Sequence, residues 1–221
     1  MQLRQPAGLA WLNAGERQRL QGFAHPRRAQ VYLAGRWLLR EALQAWGAPP
    51  SCEVDAQGRS HVPGRPGLWL SLSHSGPYLA CAVADAAVGL DLECLQPRRD
   101  LLGLAALMSG PAQCQRLAGL QGDAQLQCFY RDWTLKEAWL KRQGLGLDLA
   151  RMRALQTWTP QPGEAAQVLS LLDPERGLVL ALAGDELLPG PEVSNGGPAW
   201  PPGLGQPQWL CCRDQSTPKS K

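Results

Sequence analysis

Lysine is scarce in this chain of 221 residues: among 22 Lys and Arg, only Lys136, Lys141, Lys219 and Lys221 are lysine. Long apolar runs are missing too. None approaches the roughly 18 residues that cross a bilayer. Residues 1–20 lack a basic stretch followed by an apolar one, so neither a membrane span nor a secretory leader is expected. The seven cysteines form no C-x-x-C pair and no Cys/His cluster, and read as reduced, small apolar side chains of a cytoplasmic protein. The net charge of +3 is too small to point to nucleic acid. No Gly-rich loop of the Walker or dinucleotide type is present, which excludes a P-loop enzyme. The remainder, 44% hydrophobic and 19% charged, suits a chain that buries a core.

The pattern along the chain is mixed. Val31, Ala34, Leu38, Ala42 and Ala45 predict a helix over 27–46, stopped by Gly47 and Pro49-Pro50. Leu68, Leu70 and Leu72 alternate with serines and predict a strand; residues 78–84 predict another after Gly76-Pro77. In the next strand Val88, Leu90 and Leu92 share one face and Gly89, Asp91 and Glu93 the other. Asp123 is the expected N-cap of a long helix ending near Gln143, with Gly144 as its stop. An apolar run near 168–172, a turn at 173–177 and a strand after it follow. From about Asp185 the chain is dense in Pro and Gly, and 185–221 reads as a largely disordered tail. Trp37-Leu38-Leu39-Arg40-Glu41-Ala42 resembles Trp133-Thr134-Leu135-Lys136-Glu137-Ala138, and each is followed by a hairpin, starting at Leu70 and at Leu169. Chance and a duplicated α/β unit both account for this. In a duplicated chain the seam between halves is a common place for a site.

Asp91 and Glu93, at i and i+2 of a strand, point the same way. Carboxylates roughly 5–7 Å apart repel by about 2–3 kcal/mol at an effective dielectric near 20. Solvent, an arginine or a cation offsets that, and Mg²⁺ favours such oxygen ligands. Glu137 and Lys141 share a helix face. Each pair alone is an ordinary surface feature. The lysine scarcity adds weight: a chain that otherwise writes arginine keeps an ammonium where a compact point charge must meet phosphate. His74 beside Ser73 at a strand end, Arg59, and the cluster Arg17, Arg19, Arg27 and Arg28 add positive or anion-gripping groups. Taken together they describe a site for Mg²⁺ and a polyphosphate.

Ser73-His74-Ser75, Gly89-Leu90-Asp91-Leu92-Glu93 and Trp133-Thr134-Leu135-Lys136-Glu137-Ala138-Trp139-Leu140-Lys141, in this order and spacing, resemble the 4′-phosphopantetheinyl transferases of the surfactin-synthetase type. The resemblance implies an α+β fold: a pseudo-twofold duplication of two similar α/β subdomains with mainly antiparallel sheets and the active site at their interface. It divides the chain into 1–88 (coenzyme A half), 89–184 (Mg half) and the 185–221 tail. It implies an enzyme that moves the phosphopantetheine arm of coenzyme A to a serine of an apo carrier protein, releasing 3′,5′-ADP. Asp91, Glu93 and Glu137 would bind Mg²⁺, and Glu137 would act as base. Lys141 and His74 would hold phosphates, with Lys141 also protonating the leaving group. Lys136 would add charge beside them, and Ser73 and Arg59 would contact the cofactor. Arg19 would meet the 3′-phosphate. A monomer is expected, with no nucleic acid or membrane partner.

Three departures stand out. Gly58-Arg59-Ser60 replaces the family's G-K-P, Ser71 replaces an Asn, and no acidic residue matches near Ala112-Gln113, where Gly110-Pro111 is expected to perturb a helix. A metal-dependent phosphodiesterase or nuclease, and a non-catalytic coenzyme A-binding relative, are the alternatives.

Overall fold

The two long predicted helices form close to their expected bounds. α1 (Ala14–Gln21) precedes α2 (Pro26–Ala45), and α5 (Gly122–Arg142) is the other long helix. These bounds come from a computed structural model that describes residues 6–55, 58–159, 161, 164–187 and 208–214. Proline opens α2 because the first helical position needs no amide hydrogen, and the His25 imidazole accepts from the Arg27 amide. Gly47, at φ +77°, ends it in a left-handed turn. Asn13 caps α1 reciprocally: its side chain accepts from the Glu16 amide at 2.8 Å, and Glu16 accepts from the Asn13 amide at 2.9 Å. Glu16 is itself buried and binds Arg36 and Arg40 of α2 at 2.8 and 2.5 Å, which fastens the short helix to the long one.

Strands β1 (Glu53–Val54), β2 (Ser60–His61), β3 (Trp69–Ser75) and β4 (Tyr78–Ala84) form one antiparallel sheet in that order. α2 packs on it through Leu39 and Leu43, both fully buried with Cys52, Val62 and Leu68. Each such leucine contributes about 1.5–3 kcal/mol through burial. The second sheet contains β5 (Gly89–Cys94), β6 (Leu155–Trp158), β7 (Ala166–Asp173), β8 (Leu178–Leu187) and β9 (Gln208–Asp214). Its order is β5-β8-β7-β9-β6, and every pairing is antiparallel. α5 lies across it. Leu135, Ala138 and Trp139 meet Val168, Ala181 and Cys212 on one side; Phe129, Tyr130 and Leu140 meet α3 (Leu101–Met108), α4 (Pro111–Ala118) and α6 (Leu149–Ala154) on the other.

Three sequence expectations change. The tail is not uniformly unstructured: Gln208–Asp214 is an interior strand between β7 and β6, with Cys212 buried. The rest of that segment beyond Leu187 lies outside the described residues. Gly110-Pro111 does not break a helix but starts one, with Pro111 in the first turn of α4. Asp123 is inside the first turn of α5, and Gln121 is the N-cap. Gly144 does close α5, at φ +70°. Cys52, Cys81, Cys94, Cys114 and Cys128 are free thiols. Among those residues no helix is long and apolar enough to cross a membrane.

Candidate active site

Gly89 brings the two acidic segments together. A Cβ at this position would lie 1.9 Å from the Ala138 carbonyl oxygen and 2.4 Å from the Arg142 amide, so only glycine lets β5 lie this close to α5. Leu90 and Leu92 turn into the core, and Asp91 and Glu93 turn the other way. One helical turn separates Glu137 from Lys141 on the facing side of α5.

Lys141 is the meeting point. Its ammonium donates to Asp91 Oδ1 at 2.6 Å and to Ser73 Oγ at 3.2 Å, and stands 3.9 Å from Glu137 Oε2. Ser73 in turn donates to Asp91 Oδ1 at 2.8 Å. Glu93 accepts from Ser75 Oγ at 2.7 Å. Burial pushes the Glu137 carboxyl up to about 7, with the Asp91 charge adding to the rise and Lys141 opposing it. Glu93 is also raised, by burial first; the Ser75 hydrogen bond opposes this and the Asp91 charge adds to it.

The three acids do not close around one point. Asp91 and Glu137 converge on the ammonium, whereas Glu93 is held by Ser75, and among the described residues no three acidic, histidine or cysteine side chains form a ready metal-binding group. The donors still suit a hard cation. Asp91 is 3% exposed, and its Oδ2 is buried with no hydrogen-bond partner, a costly state for a carboxylate oxygen that an oxygen-seeking ion relieves.

A cavity of about 1200 Å³ opens beside Lys141. Arg19, Arg59 and His74 line it, and so do Arg27, Arg28 and Arg36. The Arg59 guanidinium is tied to Asp55 at 2.8 Å and packs over Gly144, whose missing Cβ would sit 2.6 Å from it. Lys136 is a correction. It is fully buried, and its ammonium donates to Met108 O at 2.7 Å, Gln113 Oε1 at 3.0 Å and Ser109 Oγ at 3.3 Å, away from the acids. Gln113 thus uses the position where an acid was sought to accept from a lysine. The sequence reading missed Arg36 and the role of Ser75, although the serines at 71, 73 and 75 are one strand face by spacing alone.

Comparisons with known proteins identify the family. Residues 87–177 match the family described as the 4'-phosphopantetheinyl transferase superfamily, and residues 16–84 match the 4'-phosphopantetheinyl transferase N-terminal domain. The 4'-phosphopantetheinyl transferase HetI of Nostoc sp. is 32% identical over 188 residues, covering 79% of this chain and 78% of HetI. A 4'-phosphopantetheinyl transferase of Bacillus subtilis is 31% identical over 145 residues, covering 64% of each chain. AcpT of Escherichia coli is 35% identical over 120 residues, 54% of this chain and 60% of AcpT. The matches to the last two therefore span less than two thirds of those relatives. The matched segments contain every acidic and basic side chain that meets at Lys141, and the chain belongs to the 4'-phosphopantetheinyl transferase superfamily.

Proposed function

We propose that the protein transfers the 4′-phosphopantetheine arm of coenzyme A to a serine hydroxyl of an apo carrier protein and releases 3′,5′-ADP. The observation that carries this reading is the junction at Lys141, where an arginine-rich cavity large enough for a nucleotide meets a buried carboxylate cluster. Arg19 and Arg59 would hold the nucleotide phosphates, and His74 and Lys141 the pyrophosphate. Asp91, Glu93 and Glu137 would hold Mg²⁺, which when bound stabilises charge on the phosphate oxygens.

In the transfer, the serine oxygen bonds to the β-phosphorus and the bond from that phosphorus to the bridging oxygen breaks. Glu137 takes the serine proton, which suits a carboxyl raised to about 7. Lys141 gives a proton to the departing phosphate. The substrate is positioned by the cavity walls, and fixed cations stabilise the developing charge. The two units, α2 with the β3–β4 hairpin and α5 with the β7–β8 hairpin, support the reading of a duplicated chain with its site at the junction. The free thiols support a reducing compartment. Monomer is the proposed state, since one chain supplies both sides.

The test is incubation with coenzyme A, Mg²⁺ and apo carriers from fatty acid, polyketide and nonribosomal peptide systems. The expected result is a mass gain of one phosphopantetheine on at least one carrier. No gain on any carrier, with folded protein, overturns the reading.

A further inference from the structure

Among the described residues β5 is the outermost strand of the second sheet, and only one of its edges pairs with a strand, β8. Side chains of β3 meet the other edge. The amides of Leu90, Leu92 and Cys94 donate to the hydroxyls of Ser71, Ser73 and Ser75 at 2.8, 3.2 and 3.0 Å. Three hydroxyls at i, i+2 and i+4 of one strand thus cap three alternate amides of another. The row closes an edge that would otherwise present unpaired donors, and it joins two sheets that share no backbone ladder.

A hydroxyl has one proton and two acceptor sites. Ser73 uses all of them: it accepts from Leu92 and Lys141 and donates to Asp91. Ser75 accepts from the Cys94 amide and donates to Glu93. The amide fixes the hydroxyl oxygen, and the single proton then fixes the carboxylate.

We infer that this serine row is a positioning device, and that Ser75 aims the Glu93 carboxylate; the inference rests on the metal-dependent transfer proposed above. His74 lies between the two serines and lines the cavity. One short strand therefore sets the acids on one face and an anion-binding imidazole on the other. A slip of one residue would replace the serines by Leu72 and His74 and lose both arrangements. Neither Ser71 nor Ser75 touches the reacting atoms in this scheme.

The experiment compares full-length wild-type protein with Ser75→Ala and Ser75→Thr. Mn²⁺ binding in the presence of coenzyme A is read by calorimetry, and the Mg²⁺ dependence of transfer by initial rates. Losing an outer partner of a metal ligand typically weakens metal binding about tenfold or more. Ser75→Ala is expected to weaken Mn²⁺ by about tenfold and to raise the Mg²⁺ needed for half-maximal transfer alike. The KM for coenzyme A should change by less than about twofold, because Ser75, unlike His74, is not among the residues lining the cavity. Ser75→Thr, which keeps the hydroxyl, should restore both. In a Glu93→Gln background, adding Ser75→Ala should change nothing further. Wild-type-like Mn²⁺ binding by Ser75→Ala, or an equal extra loss in the Glu93→Gln background, overturns the inference. Should Ser75→Ala fail to fold, Ser75→Cys enters the same comparison with a weaker donor of similar size. A wild-type protein that binds no Mn²⁺ and modifies no carrier would instead sink the transferase reading.

Discussion

Lys141 donates to Ser73 Oγ and Asp91 Oδ1 and lies 3.9 Å from Glu137 Oε2, a set of close neighbours that suits a compact, rotatable ammonium better than a planar fork. Lys141→Ala is expected to lower kcat by about a hundredfold or more, as removal of a group aimed at developing charge does. Lys141→Arg should recover less than about a tenth of the lost rate. Steady-state kinetics with coenzyme A as the varied substrate decides this, and full rescue by arginine would refute the argument. The scarcity of lysine marked both Lys136 and Lys141 in the sequence, yet only one reaches the site. Five residues along an α-helix turn the side chain by about 140°. Glu137 and Lys141 share a face by spacing; Lys136 lies off that face, and the helix turns it toward α3 and α4.

At the scale of elements, two buried charges govern how helices are held. Burial pulls Lys136 down to about 8, with Asp132 opposing the fall. An unfolded lysine titrates near 10.4, so between about pH 8 and 10.4 the unfolded chain holds more protons. Lys136 therefore contributes a rise in stability with pH across that window, on the order of 3 kcal/mol. Lys136→Met should remove this slope in urea unfolding and leave the KM for coenzyme A unchanged. A raised KM would return Lys136 to the site.

Glu16 behaves oppositely. Burial alone would raise it, but hydrogen bonds from Arg40, the Asn13 amide and Arg36 hold its carboxyl below the usual value. Its contribution is complete above pH 4.5 and is lost as pH falls through the lowered value. Glu16→Gln leaves two buried guanidiniums without their anion and should cost about 3–5 kcal/mol at pH 7, the gap from wild type narrowing in acid. A constant gap down to pH 3 or so would contradict the ion-pair origin. The α1–α2 clasp was hidden in the sequence, where nothing marks Glu16, Arg36 and Arg40 as a set. Their burial follows from packing that no local period records. By contrast, α2, α5, β3, β4 and β5 were legible because each carries its own apolar spacing.

At the scale of the whole molecule, the least legible part was the second sheet. Gln208–Asp214 follows a Pro- and Gly-dense stretch and lacks the clean alternation of a half-exposed strand, since an interior strand need not alternate. It pairs with β7 on one side and is the sheet partner of β6 on the other. Truncation after residue 187 should therefore lower the melting temperature by about 5–10 °C, at about 2–4 °C per kcal/mol. An unchanged melting curve would mean that this strand adds nothing to the fold.

The order of synthesis gives the late strand a consequence of its own. Leu155 pairs with Asp214 and Trp158 with Cys211, so β6 emerges from the ribosome long before its neighbour exists. Until then the nascent second half presents a bare seam on β7 as well, open to chaperones or to another unfinished copy. The second sheet is thus assembled in its final form only after the stretch that looks most dispensable has been translated.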